Sequence, residues 1–358
     1  MASVVDWAVA ERVANRIAGS DPFEGSYLAD SMHDDFAELT SQAQELVERY
    51  TGWTSDSGAA RAKVAERSDW IAGNIASFQR MLRPLTDRFE DKLSAGILGP
   101  VAGRIAGAEM GAVLGWMSTR VLGQYDMLVL EDEPTDDQDL VYYVGPNILA
   151  LEKRYGFPPR EFRLWIALHE ITHRTQFTGV PWLRPYFLSQ VTDMLGSVDA
   201  DASQLYRAIG RIAESVRTRT SILSEGGIVT LFADDAQRET MNRLGGLMSL
   251  LEGHGDVTMD RAGGDLIPSA ERFSRVLRSR RQTQPGPAKL LQKLMGLEAK
   301  LAQYEQGERF IETIEAAGGT EYLELAFESA EHLPTLAEIR DPGAWMTRVP
   351  QRVAATGS

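Results

Sequence analysis

The chain has no cysteine, which removes disulfide staples, thiolate metal sites and cysteine nucleophiles from consideration together. Any metal held here must be held by nitrogen and oxygen. Histidine is scarce too, five in 358 residues, so a place where two recur at short spacing carries weight. There is no sustained run of Lys or Arg, and the formal charge is −14. Both argue against nucleic acid as a partner, since affinity for a phosphate backbone comes from basic side chains displacing counterions. The opening stretch MASVVDWAVAERVANRIAG places Asp6 and Glu11 among its apolar residues and has no basic leader. It lacks the layout of a secretory signal, and a cytoplasmic location is expected.

The longest apolar stretch, Ala95 to Met117, is interrupted by Arg104 and Glu109. Two charges near the centre of a lone span would be costly in a bilayer, so no membrane span is expected. Gly103, Gly107, Gly111 and Gly115 recur there every fourth residue. On a helix they fall along one face and let another backbone come close, which predicts a buried, tightly packed soluble helix.

Helical periodicity covers most of the chain: Val4 to Ala18, Asp35 to Tyr50, Ala59 to Leu93, Val101 to Leu122, Pro158 to Phe177, Ala202 to Leu223, Asp235 to Met259 and Ala288 to Ala317. Strand signals gather between Tyr125 and Ile148, where MLVL and LVYYV flank the acidic loop Glu131 to Asp139. The expected fold is mainly α with a small β-sheet (α+β), built as one domain over residues 1–348. Its parts would be a helical segment 1–122, a catalytic segment 123–262 and a helical segment 263–348, with 349–358 as a disordered tail. Pro285-Gly286-Pro287 marks the one internal loop that could serve as a boundary. The arginines before it, at 272, 275, 278, 280 and 281, offer a patch for an anionic partner or simply a solvated helix end; a protein partner is possible. The acidic loop does not have the spacing of a calcium-binding loop.

The chemistry concentrates in PPREFRLWIALHEITHRTQF. Pro158 and Pro159 suit a helix start, where amide hydrogens lack intrahelical partners. His169 and His173 lie four residues apart, so on a helix both imidazoles leave one face and can meet a single ion. Glu170 beside them has the position of a general base that takes a proton from a zinc-bound water. Positions 162, 165, 166, 169 and 173 are expected to form one inward stripe. The alternative is two hydrogen-bonded histidines on a structural helix. Arg174 and Thr175 follow where a hydrophobic residue is more usual.

A catalytic zinc takes three protein ligands and keeps a position for water. HRTQFTGVPWL contains no further histidine, so the third ligand must come from elsewhere. In RLGGLMSLLEGHGDVTMD, Glu252 and Asp256 share a helix face and His254 points nearly opposite. Gly245 and Ser249 extend the Glu252 face backwards and would let this helix press on the histidine helix. Glu252 is the expected third ligand and Asp256 the acceptor that fixes a ligand histidine's tautomer. His254 is a rival ligand if Gly253 and Gly255 break the helix, or else an oxyanion donor, as are Tyr186 and Tyr206. Glu225 is a further candidate ligand.

With these residues assembled, the chain resembles the zincin-like metallopeptidase family found mainly in actinobacteria and related bacteria, whose members carry names of hydrolases or of coenzyme F420 biosynthesis-associated proteins. The likeness runs nearly end to end: ALHEITHRTQF, the glycine-spaced helix ending in VLGQYD, the VGPNI strand, MSLLEGHGDVTMD, QYEQGERFIE and LPTLAEIRDPGAWMTRV. It implies a zincin-like fold, an HExxH helix packed on a small sheet with additional helices around it, and a zinc site. Glu252 followed by Asp256 is also similar to the ExxxD element of gluzincins, which implies that Glu252 binds zinc. Nothing in these residues suggests a deazaflavin pocket.

The expected function is zinc-dependent hydrolysis of a peptide or other amide bond, with VYYVGPNI as an edge strand that aligns an extended substrate. The alternative is a non-catalytic, zinc-stabilised scaffold or partner-binding protein, in which protein groups would saturate the metal.

Overall fold

The computed structural model of the chain describes residues 5–20, 27–94, 99–127, 139–196, 235–282 and 297–351. The chain divides into two compact units, residues 1–181 with 258–275, and residues 182–257 with 276–358. In the first unit α1 (Trp7–Ala18), α2 (Tyr27–Thr51), β1 (Arg61–Ala65), α3 (Arg67–Ser94), α4 (Gly99–Ser118), β2 (Gly123–Tyr125), β3 (Leu140–Val144), α5 (Gly145–Tyr155) and α6 (Pro159–Gly179) follow in order. The second holds α7 (Leu183–Gly196), most of α8 (Asp235–Gly263), the end of α9 (Ala270–Gln282), α10 (Leu297–Gly318), α11 (Thr320–Glu324), α12 (Leu336–Arg340) and α13 (Pro342–Arg348). Among the described residues the fold is mostly helical with one small sheet, as expected. The MLVL strand beyond Met127, the helix at 202–223 and the Pro285 loop lie outside the described residues.

The sheet has the order β1-β3-β2, with β1 parallel and β2 antiparallel to β3. All five residues of β3, LVYYV, are buried, as a strand paired on both sides and covered on both faces must be. Phe36 of α2 stacks on Tyr143 with ring centroids 3.9 Å apart, and the Tyr143 hydroxyl meets that of Thr40 at 2.8 Å. Three expectations are corrected here. VYYV is the central strand, so its backbone is already paired and cannot align a substrate; among the described residues the edges are β1 and β2. VGPNI is not strand throughout, because the helix α5 begins at Gly145. The buried Asn147 amide donates to the carbonyls of Ser118 and Val121, both at 2.7 Å, and its oxygen accepts from Arg67. Residues 61–65 form β1 and not the start of a helix. The helix begins only after Glu66, whose amide is taken by the Asp69 carboxylate at 3.1 Å, a side-chain cap that sets the boundary.

The glycine-spaced helix α4 packs on α1 as its spacing predicts. A Cβ on Gly107, Gly111 or Gly115 would lie 2.3 Å from the Asp6 carbonyl oxygen, 2.3 Å from that of Ala10 and 2.6 Å from that of Ala14. The facing positions on α1, Ala10, Ala14 and Ala18, are buried alanines. Small residues on both helices bring the backbones together. Trp70, Ile71 and Ile75 of α3 and Leu114 of α4 complete that core. Among the described residues no helix is long and apolar enough to cross a membrane.

The second unit uses the same device. A Cβ on Gly253 of α8 would lie 2.4 Å from the carbonyl carbon of Gly307 in α10, and one on Gly246 would lie 2.1 Å from the Pro334 oxygen. Gly245 faces Leu336, and the Ser249 carbonyl faces Gly307. The small residues of α8 therefore let the C-terminal helices of its own unit come close. At the end of the chain Thr335 and Glu338 form a capping box for α12. The buried Trp345 is held between Phe310 and Tyr322, and its indole N–H donates to the His332 carbonyl at 2.7 Å.

Candidate metal centre

The helix α6 starts as its prolines predict, with Pro158 as N-cap and Pro159 at the first position. Its base is fixed by an aromatic cluster of Phe157, Phe162, Trp165 and Phe273. A buried Arg163 meets both carboxylate oxygens of Glu152, at 2.8 and 3.0 Å, and pairs with Asp35. Two charges on one guanidinium offset the cost of burying it. These contacts join α6 to α5 and α2 before the chain reaches the histidines.

Most of α6 is buried, and the exceptions are informative. Phe162 and Ile166 are enclosed, but Trp165, His169 and His173 are half-buried. The expected stripe therefore splits: the histidine line is the more open side of the helix, while the apolar positions face the core. That suits a ligand site, because a metal that works on a substrate must be reached from outside the core.

His169 and His173 face each other with their Nε2 atoms 3.3 Å apart. Their rings are nearly perpendicular, at 86°, with centroids 4.6 Å apart. Two nitrogens each about 2.0–2.1 Å from one tetrahedral zinc stand about 3.3–3.4 Å apart. The separation of the pair matches that spacing. The Nδ1 atom of His173 lies 3.0 Å from the Gln176 side-chain oxygen, and Gln176 is fully buried. This partner lies one turn on in the same helix, a spacing readable in HRTQ, yet the sequence reading gave it no role.

Glu170 is buried and projects towards the sheet. A Cβ on Gly123 of β2 would lie 2.6 Å from both its Cγ and its Oε1. The carboxylate thus occupies the space that any side chain at 123 would need, which makes Gly123 part of the site. Nothing in sequence linked two residues so far apart. Burial pushes the Tyr143 hydroxyl well above its ordinary range, opposed by the Thr40 hydroxyl, and the nearby Glu170 charge adds to the rise. Tyr143 therefore stays protonated and neutral.

The polar residues after His173 also have a structural account. Arg174 is buried and holds Asp139 through Nε at 3.3 Å and an Nη at 2.7 Å, while donating to the Gly58 carbonyl. Asp139 has φ +53°, a left-handed conformation that Asp tolerates better than most residues. It also accepts from the Tyr125 hydroxyl at 2.8 Å. One buried ion pair thereby ties the histidine helix to the start of β3 and the end of β2.

In the second unit α8 runs unbroken through Gly253 and Gly255, so the helix break on which the rival role of His254 depended is not there. At 100° per residue His254 stands about 200° round from Glu252. Its ring lies against Phe327 with centroids 5.1 Å apart. Glu252 is buried, and Asp256, one turn on, is half-buried. Tyr186 is on α7, with its hydroxyl raised by burial; Tyr206 and Glu225 lie outside the described residues. His169 and His173 thus stand on α6 of the first unit, and Glu252 on α8 of the second.

In the search of solved structures, a crystal structure from Chloroflexus aurantiacus, described as that of a candidate hydrolase with a novel fold, matches with a TM-score of 0.69 and 27% sequence identity. The match covers 98% of this chain and 100% of the other. No curated protein matches. The sequence profile of the zincin-like metallopeptidases matches residues 5–346, a span that includes the histidine pair, Glu170 and Glu252. Nitrogen and oxygen donors suited to zinc, on a fold shared with a candidate hydrolase and under a profile covering nearly the whole sequence, lead to one statement: the chain belongs to the zincin-like metallopeptidase family.

Proposed function

We propose that the chain is a zinc-dependent hydrolase of peptide or other amide bonds. In this reading His169, His173 and Glu252 hold the ion, Glu170 is the general base, and Asp256 orients a ligand histidine. The observation that carries it is the 3.3 Å separation of the two Nε2 atoms, the spacing of adjacent ligands on a tetrahedral ion. The neighbouring carboxylate seated against Gly123 supports it, as does the family match.

Bound there, zinc would supply Lewis acidity for the scissile carbonyl and make a coordinated water acidic enough to lose a proton near neutral pH. With the metal in place, Glu170 would be the carboxylate that accepts a proton and hands it to the departing amine. Its seat against Gly123 of β2 limits how far the carboxylate can swing. β2 is an edge of the sheet among the described residues, and an extended peptide could pair with that edge by backbone hydrogen bonds next to the base. That role passes to β2 because β3 is paired on both sides.

The test combines metal content with turnover of a mixture of fluorogenic peptides. Glu170→Gln should keep stoichiometric zinc and lose about 10²–10⁴-fold in hydrolysis, whereas His169→Ala should lose the zinc. Peptide cleavage by Glu170→Gln at the parent's rate would remove the general base. A parent that carries no zinc after metal-replete purification would remove the metal centre.

A further inference from the structure

The His173 ring is held from its far side by a buried amide, and we infer that Gln176 is a positioning residue that selects the tautomer in which His173 can bind a metal. This inference rests on the zinc reading above. The Nδ1 atom lies 3.0 Å from the Gln176 Oε1. A carbonyl oxygen can only accept, so Nδ1 must carry the proton, and a neutral imidazole has only one. Its Nε2 is then a bare lone pair, and it is the Nε2 that faces the Nε2 of His169. In the other tautomer Nε2 would carry hydrogen and could not coordinate.

Gln176 is well placed to enforce this choice. It sits three residues after His173 on the same helix, so the two side chains are neighbours on its surface whatever the rest of the fold does. It is fully buried, so water does not compete for the contact. The acceptor is an amide and not the carboxylate that commonly backs a ligand histidine. An amide fixes direction without adding a further negative charge to a helix that already buries Glu170.

Two variants of similar size separate the acceptor from mere packing. Gln176→Met fills the space without an acceptor, and Gln176→Glu keeps the oxygen. Zinc affinity is measured by competition with a chromophoric chelator, and the His173 tautomer by nitrogen NMR of the metal-free proteins. Gln176→Met should bind zinc about 10- to 100-fold more weakly and shift His173 towards the Nε2–H form. Gln176→Glu should keep the Nδ1–H form and stay far closer to the parent in affinity. Equal affinity in Gln176→Met and the parent overturns the inference and leaves the zinc reading standing, as does an equal loss in both variants. A parent that takes up no zinc overturns both.

Discussion

The helices α4 and α6 are nearly equal in length, 20 and 21 residues, and each is packed closely into the first unit by opposite means. α4 achieves contact by having no side chains where it meets α1: glycines at 107, 111 and 115 lie against carbonyl oxygens of Asp6, Ala10 and Ala14. α6 carries Arg163, Glu170, Thr172, Arg174, Thr175 and Gln176 into buried positions. Thr172 bonds back to the Leu168 carbonyl of its own helix, but Arg163, Glu170, Arg174 and Gln176 each meet another element or a histidine. Backbone contact needs only dispersion and shape, so α4 has no chemistry to offer. Buried charges cost solvation and persist where pairs offset them. A helix that maintains so many of them is the place to look for function.

The contrast can be broken most sharply on the α6 side. Asp139→Asn leaves the Arg174 guanidinium, 1% exposed, without its counter-charge. Asparagine tolerates the positive φ at 139, so the backbone adds little. The expected loss is about 3 kcal/mol, at the low end for stripping one partner from a buried pair, read from the urea midpoint of the full chain. A change below about 1 kcal/mol would mean that the pair behaves like a surface contact and that polar burial on α6 is not what holds it to the sheet.

Much of this was legible in sequence, and what escaped was long-range. The histidine spacing, the proline start of α6 and the glycine face of α4 are local patterns, and each lies where its period or residue chemistry puts it. β1 was hidden because RAKVA is short and precedes a strongly helical stretch; only its pairing with β3, whose residues lie some eighty positions on, makes it a strand. The same pairing turned VYYV from an expected edge into the centre of the sheet. Gly123 beside Glu170 had no sequence signal, since a glycine chosen for the side chain it accommodates looks like any turn glycine. Arg174 read as an argument against a zinc helix until Asp139 supplied its partner. Gln176 was in view, three residues after His173, and was passed over because the search for a histidine-orienting group looked for a carboxylate.

The α4 side is tested by adding one carbon. In Gly111→Ala the new methyl would stand 2.3 Å from the Ala10 oxygen and 2.9 Å from the Ala10 Cα and the Val13 Cβ. Backbone atoms cannot swing aside, so α1 and α4 must separate along their contact. Alanine is the better helix former by about 1 kcal/mol, which works against the clash, and a net loss of about 2 kcal/mol is expected. A stability gain in chemical unfolding would show that the helices do not meet as closely as the glycine face requires.

The smallest effect sharpens the comparison because it uses the same substitution with the opposite sign. Gly73 also lies within a helix, α3, but a Cβ there would meet the Tyr142 hydroxyl at 3.5 Å, an ordinary contact distance. No positive φ is required of it. Gly73→Ala therefore brings the helical preference without the clash, and the chain should gain about 0.5–1 kcal/mol. Measured side by side with Gly111→Ala, it separates glycine needed for close approach from glycine merely tolerated in a helix. If both variants lost stability alike, the penalty would belong to alanine in these helices generally, and the close contact of α4 with α1 would explain nothing particular about position 111.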